Sequence, residues 1–310
     1  TGRTTSTITS LKPDGSTQTY TNDGAGNIQV TSYRPDGSID SHNWKNDNGS
    51  RGSEVFKPDG SVSGTYVKAD GSYQRYADDG KGNRVVIDYA HDGEMTANRW
   101  WKADGSHGVE TVNPDRSRLG TAYAPDGSYA NSTRDASGNT TRSVYDAQNK
   151  FLSSDWRHND GSYGYSRILA AGDNNVGASD VGATKVFTAD GKGGSSQIIY
   201  RLNGSVYGQV LNMTGPGVLG INDNGEGLRI ETQYGPDGNG VVSNTVIRYN
   251  ADGSGTSTTT DANGHVTEKY YGRGELKPYK KPDTPDGTPQ FPEGPPESQP
   301  RIIPPLSKWP

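Results

Sequence analysis

Residues 55–72 read VFKPDGSVSGTYVKADGS and contain two copies of a short pattern that runs through most of the chain. In each copy an apolar residue stands three positions before the aspartate of an Asp-Gly pair, as Phe56 does before Asp59. The aspartates that mark the pattern are Asp14, Asp23, Asp36, Asp47, Asp59, Asp70, Asp79, Asp92, Asp104, Asp115, Asp126, Asp135 and Asp160. Such regular spacing indicates a structural repeat.

The repeated pair is a turn signal with readable chemistry. In Pro58-Asp59-Gly60, proline presets φ for the first turn position and glycine supplies a positive φ, which predicts a type I turn closed by a G1 bulge. Longer glycine-rich turns are expected at residues 23–27 and 79–83. Arg116 occupies a glycine position, which predicts a distorted or longer turn there.

The segments between turns predict the fold class. They are six to eight residues long and rich in Ser, Thr, Tyr and Val, and strands joined by tight turns must pair antiparallel. The chain is therefore expected to be all-β, a long meander of about two dozen strands in a curled or spiralling sheet, with almost no helix.

Composition divides the chain into four predicted parts. Residues 1–167 form the hairpin array, 168–225 are an irregular insertion or a change of sheet, and 226–274 return to the repeat. Residues 275–310 form an extended proline-rich tail. Five apolar residues of that tail are predicted partner-binding anchors: Phe291, Ile302, Ile303, Leu306 and Trp309.

Composition also limits the classes of protein. Only 28% of the 310 residues are hydrophobic, against about 45–50% in ordinary domains. No stretch is apolar enough to span a membrane, and the net charge of −5 argues against a nucleic-acid partner. With no cysteine, disulfides and thiolate metal sites are excluded, but secretion is not. A secreted or cell-surface β-repeat protein is the expectation.

The sequence offers few chemical sites. No catalytic residue, zinc pair or phosphate loop stands out, and residues 215–220 fit a dinucleotide motif without the helix it needs. Calcium is an alternative at residues 173–175 and 222–227, where oxygen ligands cluster but the loop pattern is incomplete. Trp100, Trp101 and Trp156 are candidate sugar-binding platforms, although stacking between strands is the more ordinary role of such rings.

The array resembles the YD repeats of Rhs-type polymorphic toxins, toxin-complex proteins and teneurins. The nearest unit is Gly138 to Asp146, which ends in Tyr145-Asp146, and residues 33–37 and 249–253 keep the Tyr-to-Gly spacing. The resemblance covers residues 1–167 and 226–272, although the literal Tyr-Asp pair occurs once and no Asp-Pro-x-Gly motif is present. It implies a β-sheet shell around a cargo.

Three functions follow from these observations. The first is a non-catalytic scaffold or shell of the YD-repeat type that binds or encloses a protein partner. The second is a carbohydrate-binding adhesin or tail-fibre-like module that uses exposed aromatic residues. The third is a glycan-active enzyme with Asp or Glu catalysis.

Overall fold

The protein is all-β, as predicted, in a computed structural model that describes residues 4–173, 176–212, 217–235 and 240–277. Twenty-three strands form one antiparallel sheet, and each strand pairs with its neighbours in sequence from β1–β2 to β22–β23. One 3-10 helix of three residues, Ala178–Asp180, is the helical content of the described residues. Strands contact only their sequence neighbours, so the sheet is a single layer.

The strands are β1 (Ser6–Leu11), β2 (Thr17–Asn22), β3 (Ile28–Tyr33), β4 (Ile39–Lys45), β5 (Arg51–Phe56), β6 (Val62–Val67), β7 (Tyr73–Asp78), β8 (Arg84–Tyr89), β9 (Met95–Trp101), β10 (His107–Val112), β11 (Arg118–Tyr123), β12 (Tyr129–Arg134), β13 (Thr140–Tyr145), β14 (Phe151–Arg157), β15 (Tyr163–Ile168), β16 (Thr184–Ala189), β17 (Ser195–Tyr200), β18 (Val206–Asn212), β19 (Gly217–Asp223), β20 (Leu228–Tyr234), β21 (Val241–Tyr249), β22 (Gly255–Asp261) and β23 (Val266–Tyr271).

The Asp-Gly turns have the expected geometry. Between β5 and β6, the Gly60 N–H donates to the Lys57 carbonyl at 3.0 Å and the Lys57 N–H donates to the Ser61 carbonyl at 2.8 Å. Gly60 has a φ of 85°, and the Ser61 N–H donates to Asp59 Oδ1 at 2.9 Å. The recurring aspartate thus binds the N–H of the residue just before the next strand.

The expected distortion at Arg116 is not found. Arg116 takes the glycine conformation, with a φ of 68°, and its N–H donates to the Asn113 carbonyl at 2.8 Å as in the glycine turns. Asn149 does the same with a φ of 63°. The two turn hydrogen bonds and the strands on either side therefore hold the backbone of Arg116 and Asn149 in the left-handed region. Each residue is strained there because its Cβ is crowded by the backbone.

Each glycine-rich turn is linked to the next turn at its own end of the sheet. Asp79 Oδ1 accepts from the N–H groups of Lys81 at 2.8 Å and Asn83 at 3.0 Å. The Asn83 side chain then accepts from the Ala103 N–H at 3.1 Å in the next turn on the same end. Asn27 and Asn139 form the same link to Asp47 and Asn159.

A longer period of 56 residues lies above the short one. The linking turns begin at Asp23, Asp79 and Asp135, and the strand register shifts at Tyr33, Tyr89 and Tyr145. Trp44, Trp100 and Trp156 follow the same spacing. One module contains five strands, and an odd number reverses strand direction, so equivalent residues of successive modules lie on opposite faces of the sheet.

Direct cross-strand partners share a face, which defines two faces. Face A carries Trp100 and Tyr207, and face B carries Trp101 and Ile221. All buried apolar residues within the described strands lie on face B: Val86, Val186, Val206, Ile221 and Ile247. Four of these five belong to β16–β21, so the small core lies in the C-terminal half of the sheet.

Residues 168–225 contain a 15-residue connection followed by regular strands. The connection runs from residue 169 to residue 183 and buries Leu169 and Ala183. Strands β16 to β19 then continue the same sheet. Within the described residues, this is where the five-residue turn pattern gives way to a much longer loop.

After β23 the chain folds back over the last hairpins. The Leu276 N–H donates to the Gly253 carbonyl at 2.8 Å, and the buried Leu276 side chain packs where Gly255 leaves space. The start of the predicted tail is therefore attached to the sheet. The five predicted anchors Phe291, Ile302, Ile303, Leu306 and Trp309 lie outside the described residues.

Candidate functional site

The three candidate tryptophans do not lie together. Trp100 and Trp101 are consecutive in β9 and point to opposite faces. Trp156 shares face B with Trp101 but lies at the opposite end of the strands, because β9 and β14 run in opposite directions. The rings of Trp100 and Trp156 cover Gly108 and Gly164 on the next strand, where a Cβ would collide with them. Each ring thus shields glycine backbone in the sheet.

Trp101 begins a row of rings on face B that we call the aromatic ladder: Trp101, His107, Tyr123, Tyr129, Tyr145 and Phe151. His107 stacks on Tyr123 with centroids 5.0 Å apart and planes 14° apart, and Tyr129 stacks on Tyr145 at 5.0 Å and 16°. Each stacked ring faces its neighbour. The aromatic ladder therefore mainly stabilises β9–β14 and presents ring edges, which suit sugar stacking poorly.

The long connection is held at a defined position by one buried carboxylate. Asp180 Oδ1 accepts from Arg201 Nε at 2.7 Å, and Asp180 Oδ2 accepts from the Tyr207 hydroxyl at 2.7 Å. The Arg201 guanidinium lies 4.3 Å from the centre of the Tyr207 ring. The hydrogen bond from Arg201 lowers the pKa of Asp180 below its usual value. The charge–charge and hydrogen-bond contacts fix Tyr207 on face A.

Two rows of side chains extend from this point across β15–β20, and we call them together the face-A strip. The first row is Tyr165, Phe187, Gln197, Gln209, Gly220 and Thr232. The second row is Arg167, Lys185, Ile199, Tyr207, Asn222 and Ile230. Six strands at about 4.8 Å spacing make the strip about 24 Å long.

A groove lies in the strip at Gly220, where a Cβ would come within 3.3 Å of the Tyr234 ring. Its volume is ≈ 550 Å³, and it lies between Gln209 on one side and Thr232 and Tyr234 on the other. Gln197, Gln209, Asn222 and Ile230 are exposed along it. Amide donors and acceptors beside aliphatic and aromatic surface can bind a neutral polar ligand without any charged group.

One end of the strip carries two adjacent cations. Arg167 and Lys185 are direct cross-strand partners on β15 and β16, and like charges in such positions repel. Among the described residues neither forms an ion pair. Arg167 Nε is buried without a hydrogen-bond partner. Within the described part of the chain, the positive charge at this end of the strip is therefore not compensated.

A second polar cluster lies on face B in the regular array. His42 Nδ1 lies 3.6 Å from Glu54 Oε2, and the Tyr76 hydroxyl donates to Glu54 Oε1 across Gly64. The contact with His42 lowers the pKa of Glu54, and burial raises the pKa of Tyr76. Each group is satisfied by the others, so the cluster cross-links β4, β5 and β7.

Asp173 and Asp223, from the two segments considered for calcium, are used within the fold, and residues 174–175 lie outside the described residues. Asp173 accepts from the Ala170 N–H at 3.0 Å. Asp223, which is 2% exposed, accepts from the Tyr249 hydroxyl at 2.6 Å. In the part of the chain that the structure describes, no three His, Asp or Glu side chains group in a way that could hold a metal ion.

Comparison with known proteins leaves the family open, since no family model and no curated protein matches the chain. Among the described residues, no helix is long and apolar enough to cross a membrane. The function proposed below is therefore inferred from the geometry of the molecule.

Sequence reasoning missed the face-A strip because its residues are distributed over six strands. The available signal in the sequence was the loss of the regular Asp-Gly turn spacing at residues 168–225. The strip residues alternate along each strand, as in Gln197 and Ile199 or Tyr207 and Gln209, but alternation alone does not distinguish a binding face from an ordinary exposed one.

Proposed function

We propose that this chain is a non-catalytic β-repeat scaffold of the YD-repeat type that binds carbohydrate on the face-A strip. The observation that carries the proposal is the groove at Gly220, lined by exposed amides beside Tyr207 and Tyr234. The strip occupies interior strands, whose backbone groups are used in the sheet, so only side chains are available to a ligand. Carbohydrate hydroxyls suit such a lining.

The setting of the groove supports a binding role. It lies beside the 15-residue connection, and loops of that length inside a compact repeat are usually functional. Asp180 and Arg201 hold Tyr207 in place before any ligand arrives, which reduces the ordering cost of binding. We extend the proposal to a secreted or cell-surface location, where extracellular glycans are encountered.

Filling the groove tests the proposal. Gly220→Gln places a side chain in the gap, and Gly220 has no positive φ that would oppose it. The matched control is Thr260→Gln, an exposed residue on face A two strands beyond the strip. On an array of neutral and charged glycans, the parent and the control should bind the same set and Gly220→Gln should lose it. Unchanged binding by Gly220→Gln would show that the strip is not the binding surface.

A second candidate function is assembly with a protein partner through the edge strand β1. All six residues of β1 are exposed, and they include no charge and no proline to block pairing with another strand. Ile8→Lys should then weaken association with a protein partner while Gly220→Gln leaves it intact. Equal association of Ile8→Lys and the parent, measured by ultracentrifugation, would remove this candidate.

A further inference from the structure

We infer that the face-A strip takes an acidic polysaccharide, with its carboxylate or sulfate groups on Arg167 and Lys185. This inference rests on the proposed function and adds the charge of the ligand to it. The starting observation is the pair itself: two cations placed side by side by the register of β15 and β16. Such a pair lowers the stability of the sheet unless an anion lies between them.

No carboxylate of the described residues compensates these two cations. Asp155, a carboxylate on the neighbouring strand β14, lies opposite Tyr165 and Arg142. Asp180, on the connection that follows β15, is bonded to Arg201 and Tyr207. Among the described residues Arg167 and Lys185 have no carboxylate within ion-pair distance, and Arg167 Nε is a buried donor without an acceptor.

The surroundings of the pair indicate a polymer. Tyr165 and Phe187 stack at 5.4 Å directly beside the cations in the first row, and the exposed amides of Gln197 and Gln209 follow. The cations and the aromatic pair therefore lie side by side on β15 and β16, and the amides follow on β17 and β18, within a strip about 24 Å long. A single small anion would use only the first of these. A chain with an acidic group at one position and hydroxyls at the next positions would use all three.

The interior position of the strip favours a polysaccharide over an acidic peptide. An extended peptide binds a sheet mainly by main-chain hydrogen bonds to an edge strand. Strands β15–β20 are paired on both sides. A peptide therefore cannot form main-chain hydrogen bonds to an edge strand here. A polysaccharide needs only side-chain partners, which the strip supplies.

The test compares polymers that differ in one property. Dextran and dextran sulfate have the same backbone with and without charge, alginate carries carboxylates, and poly-L-glutamate is an acidic peptide. The variant is Arg167→Gln/Lys185→Gln in the full chain, and the control is Lys57→Gln/Lys150→Gln, which removes the same charge from two exposed turn lysines. Binding is measured by calorimetry at low and physiological salt, because exposed charges are screened.

The expected result is binding of alginate or dextran sulfate that the strip variant weakens by about tenfold or more and the control by less than about twofold. Whichever polymer binds more tightly distinguishes carboxylate from sulfate. Dextran that binds as tightly as both acidic polymers, with the strip variant unaffected, would overturn the acidic ligand while the proposed function stands. Poly-L-glutamate with equal affinity and equal sensitivity to the strip variant would overturn the polysaccharide. Failure of all polysaccharides, or full binding by Gly220→Gln, would reject the proposed function itself.

Discussion

The strands β2–β14 and β15–β22 use one turn design but are stabilised differently. Between residues 17 and 157, Val86 is the single buried apolar side chain, and turn bonds, the aromatic ladder and the His42–Glu54–Tyr76 cluster hold the strands together. Between residues 163 and 261, six buried apolar side chains form a small core on and beside face B: Leu169, Ala183, Val186, Val206, Ile221 and Ile247. Hydrophobic burial thus increases where the 56-residue period ends, and the face-A strip lies on the same strands.

The long connection between β15 and β16 contributes two of these buried side chains. A five-residue turn has no side chains to spare for packing, whereas residues 169–183 bring Leu169 and Ala183 against the sheet. The regular strands resemble a one-dimensional array in which each unit depends on its neighbours. The later strands have packing interactions in addition to the hydrogen bonds between adjacent strands, and these interactions stabilise the strands that carry the face-A strip.

Removing core volume should have the largest effect and the clearest contrast. Ile247→Ala deletes most of a side chain that is 5% exposed, and we expect a loss of about 2–4 kcal/mol in the free energy of unfolding. Ile87→Ala, in the regular part and only partly buried, should lose about 1–2 kcal/mol. Urea unfolding measures both. Equal losses would contradict the difference between the two regions.

The contact between linking turns should have the next largest effect. A Cβ at Gly80 would lie 2.8 Å from the Gly60 carbonyl carbon, while a Cβ at Gly37 would meet nothing. Both glycines have positive φ, at 69° and 84°, so alanine is strained at either by about 1–2 kcal/mol. Gly80→Ala should lose about 1–3 kcal/mol more through overpacking. Similar melting temperatures for the two variants would show that the turns do not support one another.

Acid should act on the regular array through Glu54. Its pKa is lowered from the usual 4.5, first by the contact with His42, so its stabilisation is present above that value and is lost as pH falls through the lowered pKa. Glu54→Gln should therefore lose less stability than the parent between pH 5 and 3, a difference of about 1 kcal/mol or less because the carboxylate is still partly exposed to solvent. Glu94→Gln, at an exposed turn, should follow the parent. A parent-like acid response in Glu54→Gln would show that the cluster does not couple to stability.

The smallest expected effect is a gain at Arg116. Arg116→Gly removes a side chain from a φ of 68° and should stabilise by about 1 kcal/mol, the strain minus the added entropy of the unfolded glycine. Asn149→Gly should gain less, because asparagine tolerates this conformation. Calorimetric melting of the two variants and the parent provides the test. An unchanged melting temperature for Arg116→Gly would mean that the turn stores no strain.

The sequence by itself determined the local structure of this protein. The type I turns, the antiparallel order and the near absence of helix follow from Pro58-Asp59-Gly60 and its many counterparts, because turn geometry depends on residues close in the chain. Even the 56-residue period is visible in Trp44, Trp100 and Trp156, although the shorter period concealed it. The predicted distortion of the turn at Arg116 was wrong, because the flanking strands outweigh the backbone preference of one residue.

Only the tertiary structure decided which side chains meet. Arg167 and Lys185 are separated by the 15-residue connection, and the register that places them side by side depends on how that connection closes. The same holds for Asp180 and Tyr207, which are 27 residues apart. A change of one residue in register would move a side chain to the other face. The face-A strip therefore exists as a property of strand pairing, which no local pattern encodes.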